Sequence, residues 1–163
     1  HWAESYDGEL TGQGYATPGR IAATLARHIA DKDAPLLDFG CGTGLSGQAL
    51  AAAGFTCVDG ADVSAEMLAA ARAKGVYRAL HHLAPDAPLP GDPGSYAGIA
   101  AAGVIGAGAA PLSTFDRVMA ALGPGGYNAL RGHGGWCARV LVPGVVALRD
   151  RVERVVSEAP PTG

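Results

Sequence analysis

Cysteine is too sparse in this sequence to hold a metal or a disulfide framework. Cys41, Cys57 and Cys137 form an odd, widely spaced set with no CxxC pair and no matching histidine spacing, which speaks against a zinc site and against a stapled fold. A basic surplus is missing as well: 12 Lys and Arg stand against 15 Asp and Glu, for a formal net charge of -3. Such a chain has no field to draw in phosphate backbones, so a small-molecule partner is expected in place of nucleic acid. No apolar run reaches the roughly eighteen residues needed to span a bilayer. Residues 1–20 also lack the charged start and apolar core of a secretory signal. The expectation is a cytoplasmic protein with no membrane role, its oligomeric state left open. Aromatic residues make up only 6% while apolar residues make up 48%, much of it alanine, which points to helices packed through small side chains. With 163 residues the chain is long enough for a single domain that buries roughly 70% of its unfolded surface.

What is present is an alternation of helices and strands. Thr17 as a cap and Pro18 in a first turn open a helix that carries Ile21, Leu25, His28 and Ile29 on one face up to Ala30. Pro35 to Phe39 is a short apolar run of the kind that forms a buried parallel strand. A helix from about Leu45 to Ala53 follows, stopped by Gly54, and Phe55 to Ala61 reads as a second strand. Ser64 opens the next helix, through Met67, Leu68 and Ala71 to Gly75. Val76 to Leu83 is a third strand, and Ala84 to Ser95 a loop rich in Pro, Gly and Asp. Ile99 to Ile105 is a fourth strand, Phe115 to Leu122 a fourth helix, and Gly123-Pro124-Gly125-Gly126 a turn. This spacing predicts βαβ units: an α/β fold, a Rossmann-like three-layer sandwich with a mainly parallel sheet. Beyond Tyr127 the pattern fades, because Asn128 to Trp136 is polar and glycine-rich where a fifth buried strand is expected. A strand at Ala138 to Val142 and a helical stripe of Val145, Leu148, Val152, Val155 and Val156 follow, so the C-terminal part is expected to be atypical or incomplete.

The strongest local signal is Leu36-Leu37-Asp38-Phe39-Gly40-Cys41-Gly42-Thr43-Gly44, a strand that ends in an acid and then three glycines at every second position. Glycines there allow a sharp turn and a close approach to main-chain N–H groups, while the following helix begins with unsatisfied donors. A second acid, Asp62, ends the next strand about twenty residues beyond the loop, where it can accept hydrogen bonds from a ribose diol. Gly42-Thr43-Gly44-Leu45-Ser46-Gly47 also fits GxGxxG, which keeps a nicotinamide-binding oxidoreductase as a rival. Asp38 opposes it, since a carboxylate suits a cationic amino acid and repels a pyrophosphate.

From Tyr6 to Tyr127 the chain resembles the class I S-adenosylmethionine-dependent methyltransferases, especially the small ones similar to the Williams-Beuren-region protein and the TPR-associated bacterial enzymes. The resembling residues are Trp2 to Asp7, Gly14 to Pro18, the glycine loop, Gly60-Ala61-Asp62-Val63-Ser64, Ala102-Gly103-Val104-Ile105 and Leu122 to Tyr127. The resemblance implies S-adenosyl-L-methionine as cofactor. It places Gly40, Cys41, Gly42 and Gly44 under the methionine part, Asp38 near the amino group and Asp62 on both ribose hydroxyls. Val63 and Met67 would flank adenine, Ala102 would lie beside the sulfonium, and Tyr6, Tyr15 and Arg20 would help to close the site. It also implies one domain over 1–163, family-like through 127 and divergent in 128–163.

Two family positions are altered. Ala97 stands where an acid normally follows the aromatic residue at the start of the fourth strand, and Ala84 where an acid pairs with the adenine amino group, with only Asp86 nearby. Each loss is worth about 1 to 3 kcal/mol if its partner stays buried and unpaired, so weakened binding is expected. Methyl transfer draws much of its rate from holding two reactants in line and needs no fixed catalytic residue, and none is assigned. His81, His82 and His133 are the base candidates. The leading expectation is a methyltransferase acting on a small molecule, and the alternative is a non-catalytic or truncated cofactor-binding domain.

Overall fold

The computed structural model describes residues 16–84, 87–102, 104, 112–131 and 136–139. Among the described residues, four helices, α1 (Thr17–His28), α2 (Leu45–Ala52), α3 (Ala65–Ala73) and α4 (Leu112–Ala120), surround six strands. The strands are β1 (Leu36–Phe39), β2 (Val58–Asp62), β3 (Ala79–His82), β4 (Tyr96–Ala102), β5 (Leu122–Arg131) and β6 (Trp136–Arg139). They form one sheet in the order β3-β2-β1-β4-β5-β6, parallel throughout except for the β5–β6 pair. The chain steps outward from β1 to β3 and then returns to the other side of β1 as β4. That reversal opens a crevice at the carboxyl ends of the strands, where open α/β sheets take their ligands.

All four residues of β1 are buried, because helices cover both faces of the sheet and a mostly apolar strand suits that position, Asp38 being its one charged residue. Leu36 pairs with Val58 and, on the opposite face, Leu37 pairs with Asp59. Leu36 and Val58 pack against Ile21, Leu25 and Ile29 from α1 and its end and against Leu50 of α2. Leu37, Phe39 and Ile99 pack against Val118 and Met119 of α4 on the other side. These two apolar clusters make the three layers.

Local details both follow and depart from the sequence reading. Ser64 caps α3 as expected, its hydroxyl accepting the Met67 N–H at 3.3 Å. Thr17 does not cap α1: it lies inside the helix, Ala16 is the N-cap, and no side chain caps that end. Pro18 in the first turn supplies a helical φ and has no N–H to satisfy, which makes a cap less necessary. The turn at Gly123 to Gly126 persists as an irregularity within β5, where the step from Leu122 to Tyr127 faces the shorter step from Tyr96 to Gly98. The expectation that Asn128 onward breaks the fifth strand is corrected. Asn128 to Arg131 pair with Ile99 to Ala102 of β4, since ladder hydrogen bonds come from backbone groups that every residue except proline carries. The later strand begins at Trp136 and not at Ala138, and it runs antiparallel along β5. The helical stripe at 145–156 lies outside the described residues. Among the described residues no helix is long and apolar enough to cross a membrane.

One ion pair holds the segment that enters β3. Arg78 donates from Nε and Nη2 to the Asp59 carboxylate at 2.9 and 2.6 Å, and the buried Tyr96 hydroxyl donates to the same group at 3.0 Å. Burial alone would raise the Asp59 carboxyl, but the Arg78 and Tyr96 hydrogen bonds and the guanidinium charge overcome it and hold the group below its ordinary 3.8. Arg78→Ala should cost about 2 kcal/mol at pH 7, the full cost of breaking a buried pair being reduced because Arg78 is half exposed. A depressed carboxyl stabilises above its unfolded value and loses that contribution as pH falls. The deficit should therefore persist above pH 4 and fade below it. Urea unfolding at pH 7 and pH 3.5 checks this, and equal stability of the two proteins at pH 7 would rule out a contribution from the pair.

Candidate functional site

The glycine loop runs from the tip of β1 into α2, and its amides are largely committed inside the protein. Gly40 and Cys41 both donate to the Ala61 carbonyl at 2.7 and 3.1 Å, and Gly44 donates to the Cys41 carbonyl at 2.8 Å. The Gly42 N–H is taken by the Asp62 carboxylate at 2.8 Å. Gly42 and Gly44 sit at φ +53 and +94, left-handed conformations that favour glycine. A Cβ built on Gly42 would face open space, whereas one on Gly40 would collide with the Val104 side chain just beyond β4. The expectation that the glycines leave these main-chain N–H groups open to a ligand is thus corrected: at four of them the donors shape the loop.

Asp38 and Asp62 stand at the ends of neighbouring strands, Asp38 pairing with Gly60 two residues before Asp62. Asp62 is half-buried and uses both oxygens, accepting the Gly42 N–H through Oδ2 and the Ser64 N–H at 2.9 Å through Oδ1. Each oxygen keeps further acceptor capacity. Asp38 is fully buried and asymmetric. Its Oδ2 accepts from Ser46 Oγ at 2.6 Å and from the Tyr77 hydroxyl at 2.7 Å, while Oδ1 is buried and finds no hydrogen-bond partner among the described residues. Burial pushes its carboxyl up to about 6, with Ser46 and Tyr77 pulling it down and the charge of Asp62 adding to the rise. Cys41, between these acids, is buried, and burial together with both carboxylates lifts its thiol far above the ordinary range. It stays protonated and is no nucleophile.

The other expected residues are distributed around this centre. Val63 follows Asp62 and is 62% exposed, an unusual position for a large apolar side chain in this protein. Met67 is half-buried in the first turn of α3, and Ala102 is half-buried at the end of β4. Leu83 N–H donates to the Asp62 carbonyl at 2.9 Å, so the loop that carries exposed Ala84 begins beside Asp62. His82 Nε2 lies 3.0 Å from the Val63 carbonyl oxygen, and His81 Nε2 is buried with no hydrogen-bond partner among the described residues. Tyr6, Tyr15, Asp86, Gly103, Ile105 and His133 lie outside the described residues. Among the described residues no cluster of His, Cys, Asp and Glu could hold a metal ion.

Ser46 and Tyr77 were missed as site residues. Ser46 carried a signal, as the polar position just before the last glycine of GxGxxG. Tyr77 carried none, because it meets Asp38 across 39 positions of sequence.

Comparison with known proteins adds the family. A family described as a methyltransferase domain matches residues 37–127, more than half of the chain. Methyltransferase-like protein 27 of Homo sapiens is 30% identical over 132 residues, which cover 79% of this chain and 54% of that protein. The dTDP-3-amino-3,6-dideoxy-alpha-D-glucopyranose N,N-dimethyltransferase of Streptomyces fradiae is 42% identical over 82 residues, 49% of this chain and 32% of that protein. The chain thus spans about half the length of the first curated relative and a third of the second. A solved TehB-like SAM-dependent methyltransferase from Corynebacterium glutamicum superposes with a TM-score of 0.61 at 21% identity, covering 81% of this chain and 73% of that one. That likeness is one of fold. The fold is the Rossmann-like α/β fold of the class I methyltransferases. Within that class the chain belongs to the S-adenosylmethionine-dependent methyltransferase family, and S-adenosylmethionine is the cofactor expected from membership.

Proposed function

We propose that this chain is the cofactor-binding part of a methyltransferase that acts on a small molecule, with S-adenosylmethionine held in the crevice above β1 and β2. The observation that carries the reading is the bare Oδ1 of fully buried Asp38. A buried carboxylate oxygen without a donor is costly unless a ligand supplies one, and an amino acid's ammonium does so. In this reading Gly40, Cys41, Gly42 and Gly44 pass beneath the methionine chain, the open space over Gly42 leaving room for it. The remaining acceptor capacity of Asp62 takes the ribose diol, exposed Val63 and Met67 cover adenine, Ala102 adjoins the sulfonium, and Tyr15 helps close the site. When bound, S-adenosylmethionine supplies an electrophilic methyl group, and the protein's part is to hold donor and acceptor in line. Residues 1–163 are read as one domain.

The small-molecule acceptor is supported by the Streptomyces relative, which acts on an amino sugar carried by a nucleotide, and by the absence of a basic surplus. A second reading has its own support. Ala84 and Ala97 lack the family acids, and this chain covers only part of its relatives, so binding without turnover is the outcome if the acceptor pocket is built by residues elsewhere. S-adenosylhomocysteine at 100 times its dissociation constant should stabilise the fold by about 2.7 kcal/mol, while NADH gives no shift. Methyl transfer from labelled S-adenosylmethionine to nucleotide-linked amino sugars separates the two readings. No thermal shift with either S-adenosyl compound overturns both.

A further inference from the structure

We propose that Tyr77 is a positioning residue of the cofactor site, one that aims the free oxygen of Asp38 at a ligand ammonium by holding the other oxygen still. The inference rests on the cofactor reading above and adds a residue to it. Tyr77 belongs to the segment just before β3, yet its hydroxyl stands between two parts of the site. It donates to Asp38 Oδ2 at 2.7 Å and accepts the Gly47 N–H, from the first turn of α2, at 3.1 Å. A single oxygen therefore fixes the acid that ends β1 and the helix that follows the glycine loop.

The ring is seated as firmly as the hydroxyl. A Cβ built on Gly47 would overlap the Tyr77 ring and hydroxyl, one on Gly60 would come within 3.0 Å of the ring, and one on Gly44 within 3.2 Å. Contacts that close are forbidden or tight for any larger side chain, so the ring occupies a slot that three glycines leave open. The last glycine of the GxGxxG pattern is explained by this tyrosine without any ligand.

The effect falls on Asp38. With Ser46 and Tyr77 both donating to Oδ2, the carboxylate cannot turn without losing two hydrogen bonds, and Oδ1 is the oxygen left for a cation. The groups facing it are the Ser46 hydroxyl from α2, the Tyr77 phenol, the Cys41 thiol from the loop and the Asp62 carboxylate from β2. Among the described residues no cation is one of them. Burial and Asp38 push the Tyr77 phenol well above its ordinary value, so it remains a donor at any working pH.

The test compares two probes by calorimetry. S-adenosylhomocysteine carries the ammonium, and 5′-methylthioadenosine carries the same nucleoside without it. Tyr77→Phe keeps the ring in its slot and removes only the hydroxyl. It should weaken S-adenosylhomocysteine about 10-fold, the scale of one hydrogen bond to a charged group, and change 5′-methylthioadenosine by less than about 2-fold. The Tyr77 hydrogen bond pulls the Asp38 carboxyl down, so its loss raises that group, and the decline of S-adenosylhomocysteine affinity on acidification should start at higher pH in the variant. Equal weakening of both probes, or an unchanged pH profile, would make Tyr77 a packing residue only and overturn the inference. Should Y77F fail to fold, Ser46→Ala removes the other donor to the same oxygen and is judged by the same probe ratio and pH profile. A parent protein that binds neither probe sinks the cofactor reading itself.

Discussion

Asp38→Asn should melt at a higher temperature than the parent protein at pH 7.5 and bind S-adenosylhomocysteine about 100-fold more weakly. Its carboxyl is pushed from 3.8 up to about 6 in the fold, mainly by burial. A group raised on folding contributes stability that is complete below its unfolded value and is lost as pH rises through its folded value. At pH 7.5 that contribution is gone, and the buried charge costs the fold about 3 kcal/mol relative to the neutral form. Asparagine removes the charge and retains an oxygen for Ser46 and Tyr77. It also places an N–H where Oδ1 now has no partner, which returns about 1 kcal/mol of the gain. The net stabilisation of about 1 to 2 kcal/mol amounts to a rise of roughly 3 to 6 °C. The gap should close as pH falls from 6 to 4, because the parent takes up its proton there. Binding suffers because an amide N–H cannot pair with an ammonium and leaves a charge uncompensated. Thermal melts across pH 4 to 8 with calorimetry at pH 7.5 check both halves, and a variant less stable than the parent at pH 7.5 contradicts the account.

Asp62→Ala should fail in the opposite manner, losing stability and affinity together. Its two oxygens hold the Gly42 and Ser64 N–H groups at 2.8 and 2.9 Å. Removing them strands one amide in the glycine loop and another at the N-cap of α3, for a loss of about 2 to 3 kcal/mol at this half-buried place. On the proposed function the ribose contact would go with the carboxylate, and affinity for S-adenosylhomocysteine should fall at least about 100-fold. Asp62→Asn keeps one acceptor oxygen and should fall between. Melting and calorimetry on the same samples give the result, and parent-like affinity in the alanine variant would remove Asp62 from the site. The pair of variants separates the two acids: one sits in the fold at a cost, the other supports it.

The fold was readable where the signal was local. β1 announced itself as an apolar run closed by an acid and glycines, and Ser64 as a cap ahead of Met67 and Leu68, because both depend on residues within one or two turns. The fifth strand was not readable, since Asn128 to Arg131 pair through backbone groups that leave no trace in side-chain polarity. Asp38 and Asp62 were found as strand-tip acids, but their unlike surroundings were not. Asp62 is satisfied by amides close in space, whereas Asp38 is set mainly by burial and held by Ser46 and by a tyrosine 39 positions away. The use of the loop amides was misread for a related reason: the Ala61 carbonyl that takes two of them belongs to a different strand. The Arg78–Asp59 pair was equally silent, spanning 19 positions.

The loop between β1 and α2 has its course settled by internal bonds before any visitor arrives. Ordering a flexible segment consumes about 1 to 2 kcal/mol per residue in lost backbone freedom, and here that toll falls on folding instead of on capture. Recognition can then rest on a few fixed oxygens, and a small molecule gains tight hold without the enclosing surface that a pliant loop would have to wrap around it.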